Sequence, residues 1–153
     1  MSDALTVREA SEEDLPAVLQ LYGQADVDDG EVLDLKAAKA LFSRFAAYPS
    51  HKLYVALLPE GRVAGSFALL IMDNLGHMGA PAAVMEDVVV DPAIHRQGIG
   101  KAMVAAAMTR AREQGCYKLM LSANLKRDAA HKFYESVGFE RHGYSFLMPL
   151  GND

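Results

Sequence analysis

The stretch Glu86-Asp87-Val88-Val89-Val90-Asp91-Pro92-Ala93-Ile94-His95-Arg96-Gln97-Gly98-Ile99-Gly100-Lys101 decides the fold. A β-branched run carrying two carboxylates at its start ends at Asp91-Pro92, and Gly-x-Gly-Lys then opens a long Ala/Met stretch of strong helix formers. A strand that feeds a glycine-rich helix start aims several backbone N–H groups at a phosphate. The glycines let the backbone approach without a Cβ in the way, and the helix dipole favours the negative charge. Two familiar phosphate loops fail on spacing: a P-loop needs Ser or Thr after the lysine, where Ala102 stands, and a dinucleotide fingerprint needs a third glycine where Met103 stands.

Outward from this stretch, the elements alternate. Residues 4–9 read as a strand, and Ser11 with Asp14 is a helix-start signature followed by Leu15, Val18, Leu19 and Tyr22 at helical spacing. The acidic run 26–31 reads as a solvated loop. Asp34 opens a second helix with an apolar face of Leu35, Ala38, Phe42 and Phe45, stopped before Pro49. Strands 52–58 and 62–72 flank the hairpin signal Pro59-Glu60-Gly61, and residues 73–82 form a Gly-rich loop. Strand 83–90, helix 98–114 closed by Gly115, strand 117–122, helix 127–137 closed by Gly138 and strand 139–148 complete the series. The expected class is α/β (α+β) with a mixed sheet.

The composition bounds the function. At 153 residues the chain reads as a single domain, 1–153, with no repeat or linker. A net charge of −5 argues against a nucleic-acid surface. No apolar run reaches membrane-spanning length, so no membrane partner is expected. The lone Cys116 leaves no internal disulfide and fits a reducing cytoplasm; with Gly115 before it, it reads as a small buried residue. His51 and His77 stand in no ligand cluster, so no metal is expected.

Glu86 and Asp87 interrupt an otherwise apolar strand from Val84 to Val90. A carboxylate inside a sheet is costly unless it is paired or opens on a cleft, and alternation along the strand puts the two on opposite faces. They read either as titratable groups of a site or as an ion-paired strand start.

The order strand, short loop, x-x-x-Gly-x-Gly, helix resembles the acyl-CoA-binding motif of the GNAT superfamily of N-acetyltransferases. The position three before the first glycine, commonly Arg or Gln there, is His95, with Arg96 and Gln97 beside it. Asn124-Leu125-Lys126-Arg127-Asp128-Ala129-Ala130-His131-Lys132-Phe133-Tyr134-Glu135-Ser136-Val137-Gly138-Phe139 is similar to the superfamily's C-terminal Asn…Ala-x-x-Phe-Tyr-x-x-x-Gly-Phe signature. The detailed likeness runs from about residue 84 to 148. It implies a mixed central sheet whose two central parallel strands splay apart, flanked by about four helices, with acetyl-CoA as co-substrate and a homodimeric assembly.

An N-acetyltransferase has three chemical tasks. An alkylamine with a pKa of about 10 must lose a proton, the carbonyl oxygen wants a backbone N–H, and the departing thiolate benefits from a donor. The resemblance implies Glu86 as the base, working through water, and Asp87 as a contact of the acceptor amine. It implies main-chain groups of Val88, Val89 and Val90 along the pantetheine arm, with the Val88 N–H near the acetyl carbonyl. His95, Arg96, Gln97, Gly98, Ile99, Gly100 and Lys101 would meet the pyrophosphate. Tyr134 would protonate the leaving thiolate, and Asn124 would hydrogen-bond CoA or the neighbouring strand. Outside the resemblance, Phe133 and Tyr134 are equally a helix's apolar face, His131 a surface or packing residue, and Lys126, Arg127 and Lys132 solvated charges or phosphate contacts. Met72, Met78 and Met85 are candidates to line an acceptor pocket.

Glu-Asp-Val-Val-Val, Gly-Cys-Tyr-Lys and Lys-Phe-Tyr look like glucosamine-6-phosphate N-acetyltransferases. Leu-Ser-x-Asn-x-Lys-Arg…Ala-His-x-Phe-Tyr resembles aminoalkylphosphonate N-acetyltransferases. The expected acceptor is therefore the primary amine of a small molecule that carries a phosphate or phosphonate; a protein amine or a non-catalytic acyl-CoA sensor are the alternatives.

Overall fold

The computed structural model describes residues 5–25, 27–94 and 97–151. They fall into two compact units, Met1–Leu121 and Ser122–Asp153. In the first unit lie β1 (Thr6–Glu9), α1 (Leu15–Gln24), α2 (Leu35–Phe45), β2 (His51–Leu57), β3 (Val63–Met72), β4 (Ala82–Val90), α3 (Ile99–Glu113) and β5 (Lys118–Met120). The second unit holds α4 (Asp128–Ser136). The mixed α/β expectation holds, with boundaries displaced by one or two residues at most ends.

One sheet runs in the order β1-β2-β3-β4-β5. Its first three pairings are antiparallel and β4–β5 is parallel. On one face, Leu15, Val18 and Ala38 of α1 and α2 bury against Leu53, Val55 and Ala68 of β2 and β3. On the other face lies α3. Gly65, an odd number of residues from Ala68, faces it so closely that an added Cβ would lie 3.0 Å from Ile99 Cγ2 and 3.0 Å from Met103 Sδ. Glycine is required there for helix and sheet to approach.

The start of α1 follows the predicted signature. A single 3-10 turn, Glu12–Asp14, precedes the helix, and the Asp14 carboxylate accepts the Ser11 N–H at 2.7 Å. The Arg8 guanidinium donates twice to the same carboxylate, at 2.7 and 3.0 Å, and holds its pKa below the usual carboxyl range. No described helix is long and apolar enough to cross a membrane.

Two expectations change. Residues 139–148 form no strand: among the described residues nothing pairs with them, and Tyr144, Phe146, Leu147 and Met148 are exposed. Their alternation records a capacity for strand, but a strand also needs a neighbour's ladder. The three methionines do not converge either, since Met85 is buried in the core while Met78 stands fully exposed on the loop before β4.

Candidate active site

The site begins with the way β4 leaves its partners. β5 pairs only with Ala82, Val84 and the residue between them, while β4 runs on to Val90. Beyond Val84 the β5 side of β4 has no strand neighbour among the described residues, which is the splay expected of the two parallel strands.

On its other side β4 carries a bulge. Ala68 pairs with Glu86 and Ser66 with Val89, so Phe67 alone stands opposite Asp87 and Val88. The extra residue is accommodated by Asp87, whose φ of 52° lies in the left-handed region. Aspartate tolerates that region better than most residues, and valine would not. The bulge interrupts the regular alternation of β4 here, and Glu86 and Asp87 are both exposed. Because paired residues share a face, Glu86 lies on the side of Ala68, the side covered by α1 and α2. Asp87 is felt there too, for its charge and burial together push the Tyr22 phenol of α1 up to about 12, burial being the larger cause. Val89 is buried, and Val88 and Val90 are half-buried.

After β4 the chain is pinned by Asp91. Its buried carboxylate accepts the Ala93 N–H at 2.9 Å and a charge-assisted bond from Arg62, just before β3. His95 and Arg96 lie outside the described residues. Gly98 follows with φ 78°, a left-handed start that brings the chain into α3 without steric cost. The first intrahelical bond runs from the Ala102 N–H to the Gly98 carbonyl at 2.9 Å. The N–H groups of Ile99, Gly100 and Lys101 therefore have no acceptor within the helix, and they carry the positive end of its dipole. Ile99 is buried against the sheet, while Gln97, Gly98 and Lys101 are exposed.

In the second unit, Asn124 is engaged in building α4. Its Oδ1 accepts the Lys126 N–H at 2.9 Å, and its carbonyl accepts the Arg127 N–H at 3.0 Å and meets His131 Nε2 at 2.7 Å. His131 is thus a local anchor of the helix start. Tyr134 packs edge-on against Phe133 and Phe139. Burial holds its phenol above the ordinary value, with Arg127 opposing, so it remains a proton donor at neutral pH.

Sequence reasoning missed three features. The Asp87 bulge leaves no periodic signal, since an inserted residue looks like any other strand position. Tyr22 reads as one more apolar position of α1. The Arg62–Asp91 pair joins residues far apart in sequence; only Asp91-Pro92, a turn opener, hinted at it. Cys116, a free thiol, has its pKa raised by burial, as a packing residue would.

A mixed sheet, a bulged central strand and a left-handed glycine at the N-terminus of α3 make up the candidate site. The chain belongs to the acetyltransferase (GNAT) family, whose pattern it matches over residues 15–139. It is 29% identical over 153 residues to the glucosamine 6-phosphate N-acetyltransferase of Trypanosoma brucei brucei, covering 95% of this chain and 96% of that one. It is 30% identical over 144 residues to the aminoalkylphosphonate N-acetyltransferase of Salmonella typhimurium, covering 94% and 90%. A solved chain of Agrobacterium tumefaciens assigned to the acetyltransferases superposes with a TM-score of 0.87 at 33% identity, covering 95% of this chain and 99% of that one.

Enzymes of this family use acetyl-CoA as co-substrate, and the residues present fit it. The N–H groups at the start of α3, which have no acceptor within the helix, suit a pyrophosphate. Beyond Val84 the edge of β4, unpaired among the described residues, offers main-chain donors and acceptors of the kind that pantetheine amides need.

Proposed function

We propose that this enzyme moves the acetyl group of acetyl-CoA directly to the primary amine of a small molecule bearing a phosphate or phosphonate. The observation that carries this reading is the exposed pair Glu86 and Asp87 at the bulge of the strand that leads into the α3 glycine turn. The two curated relatives, named for a phosphorylated amino sugar and for aminoalkylphosphonates, support the acceptor class.

Acetyl-CoA supplies an activated thioester. Glu86, exposed beside the acceptor, takes the amine proton through water, and Asp87 holds the ammonium before that proton leaves. The main chain of Val88, Val89 and Val90 binds along the pantetheine arm, with the Val88 N–H serving the carbonyl oxygen. His95, Arg96, Gln97 and Lys101 join the backbone of Gly98, Ile99 and Gly100 at the pyrophosphate. Tyr134 gives its proton to the sulfur; its motif and its protonated phenol support the assignment. Asn124 steadies α4 beneath Tyr134 through the bonds described.

Residues 1–153 act as one acetyltransferase domain, in the cytoplasm, where the single thiol of Cys116 stays reduced. The working form is a homodimer, as the resemblance to the family implies.

Titration calorimetry with acetyl-CoA, followed by a thiol-release assay, tests the reading. Glucosamine 6-phosphate, 2-aminoethylphosphonate, their phosphate-free analogues and a peptide with a free N-terminus are the acceptors. Tight binding with release on a phosphorylated or phosphonate amine is expected. Release on the peptide alone would transfer the activity to protein amines, and binding without release on any amine would leave an acyl-CoA sensor.

A further inference from the structure

Arg62 stands at the end of the turn that joins β2 to β3, and the turn itself needs no guanidinium there. It is closed by the Leu58 N–H on the Arg62 carbonyl at 2.9 Å and the Gly61 N–H on the Leu58 carbonyl at 2.8 Å, with Gly61 at φ 95°. The Arg62 side chain instead leaves the hairpin and donates to Asp91, the first residue after β4.

Asp91 ties down the turn that follows β4. Its N–H donates to the Ala64 carbonyl at 2.8 Å, and its carbonyl accepts the Ile94 N–H at 3.0 Å. Its Oδ1 accepts the Ala93 N–H at 2.9 Å, and its Oδ2 accepts Arg62. The Asp91 side chain is 5% exposed and that of Arg62 is 53% exposed. An exposed ion pair would count for little, but here one partner is buried, and removing the other strands its charge. The pair lines a small cleft with Gln20 and Gln24 of α1, and among the described residues no second cation lines it to replace a lost guanidinium.

The turn sets the start of α3. Ile94 is buried, so the turn is anchored in the core at its far end as well. Only residues 95–97 then separate it from the left-handed Gly98 and from the N–H groups of Ile99, Gly100 and Lys101. A shift of the turn carries those donors with it, and a grip by several donors depends on their being held in place.

We infer that Arg62 is a positioning residue for acetyl-CoA, acting through Asp91 to hold the turn from which α3 starts. This inference rests on the proposed placement of the pyrophosphate at α3, and it extends the binding machinery to the β2–β3 hairpin.

The test has an arm that uses acetyl-CoA and an arm that does not. Arg62→Met keeps an aliphatic stem and removes the charge. It should weaken acetyl-CoA binding in calorimetry, and raise the acetyl-CoA KM, about tenfold, while kcat at saturation stays within about twofold. Adding Asp91→Asn should recover part of that loss, because it takes away the stranded charge and keeps an oxygen for the Ala93 N–H. A merely structural pair would lower Tm without moving affinity in the folded protein. Affinity in Arg62→Met within about twofold of the parent, or a double variant whose loss is the sum of the single ones, would overturn the inference. Should Arg62→Met not fold, Arg62→Lys replaces it, with a loss of about threefold expected because an ammonium lacks the planar fork. Parental affinity together with parental exchange at Ala93 in that variant overturns the inference just the same. The second arm follows amide hydrogen exchange by NMR without acetyl-CoA. Exchange at Ala93 and Ile94 should quicken in Arg62→Met relative to the β2–β3 ladder, and unchanged protection at both breaks the Arg62–Asp91 link whether or not the chain acetylates anything. If the exchange responds but the parent binds no acetyl-CoA, it is the proposed function that has failed.

Discussion

Replacing Gly65 with alanine puts one methyl group between the sheet and α3. The new Cβ would sit 3.0 Å from Ile99 Cγ2, 3.0 Å from Met103 Sδ and 3.1 Å from the Val89 carbonyl oxygen. Ordinary contact at such a carbon begins near 3.4 Å. The Met103 thioether is the end of a flexible chain and can yield. Ile99 is β-branched, buried and held in the first turn of α3, and the Val89 oxygen belongs to the backbone, so both resist. Overpacking of this kind costs about 1–3 kcal/mol. The stiffer unfolded chain returns up to about 1 kcal/mol. A net loss of about 1–2 kcal/mol should lower Tm by about 2–8 °C for a chain of this length. The residue that must move opens the helix whose N–H groups are proposed to meet the pyrophosphate, so acetyl-CoA binding should weaken with it. Thermal unfolding by circular dichroism and calorimetric titration with acetyl-CoA measure the two effects. A Tm within about 1 °C of the parent, with unchanged affinity, would mean that the close approach of α3 to β3 is not what sets this helix in place.

Two further perturbations probe other parts of the molecule. Asp14→Asn removes the charge that Arg8 grips and should destabilise by about 1–2 kcal/mol at neutral pH. Because the folded carboxyl titrates below its ordinary value of 3.8, its contribution is fully present above that value and is lost as pH falls through the folded pKa. The gap between parent and variant in urea unfolding should therefore be constant near neutrality and close below about pH 4; a gap that widens in acid contradicts the assignment. Tyr134→Phe should lower kcat about 10²-fold and leave acetyl-CoA affinity unchanged, and an unaltered kcat in stopped thiol-release assays would remove its role as proton donor.

The central strand, the glycine turn and α3 were legible because each has a local cause: β-branched residues, a required left-handed glycine, and a run of helix formers. The Asp87 bulge was not. Periodicity assumes one residue per partner, and nothing local marks the point where two residues face Phe67. At residues 139–148 the pattern was real but insufficient, since strand formation depends on a neighbour that sequence alternation does not supply.

The sheet order has a consequence for how the chain assembles. β2, β3 and β4 are joined by short connections and can zip together as a meander, each pairing closing only a small loop. The parallel pairing of β4 with β5 must wait for the whole crossover through α3, residues 91–117. Non-local pairings of this kind are slow, because the chain entropy is lost before the contact rewards it. The crossover carries the glycine turn, so a ligand held there binds only the completed chain and stabilises the last step of folding. Acetyl-CoA should consequently suppress amide hydrogen exchange in α3 and β5 more than in the β2–β3 hairpin.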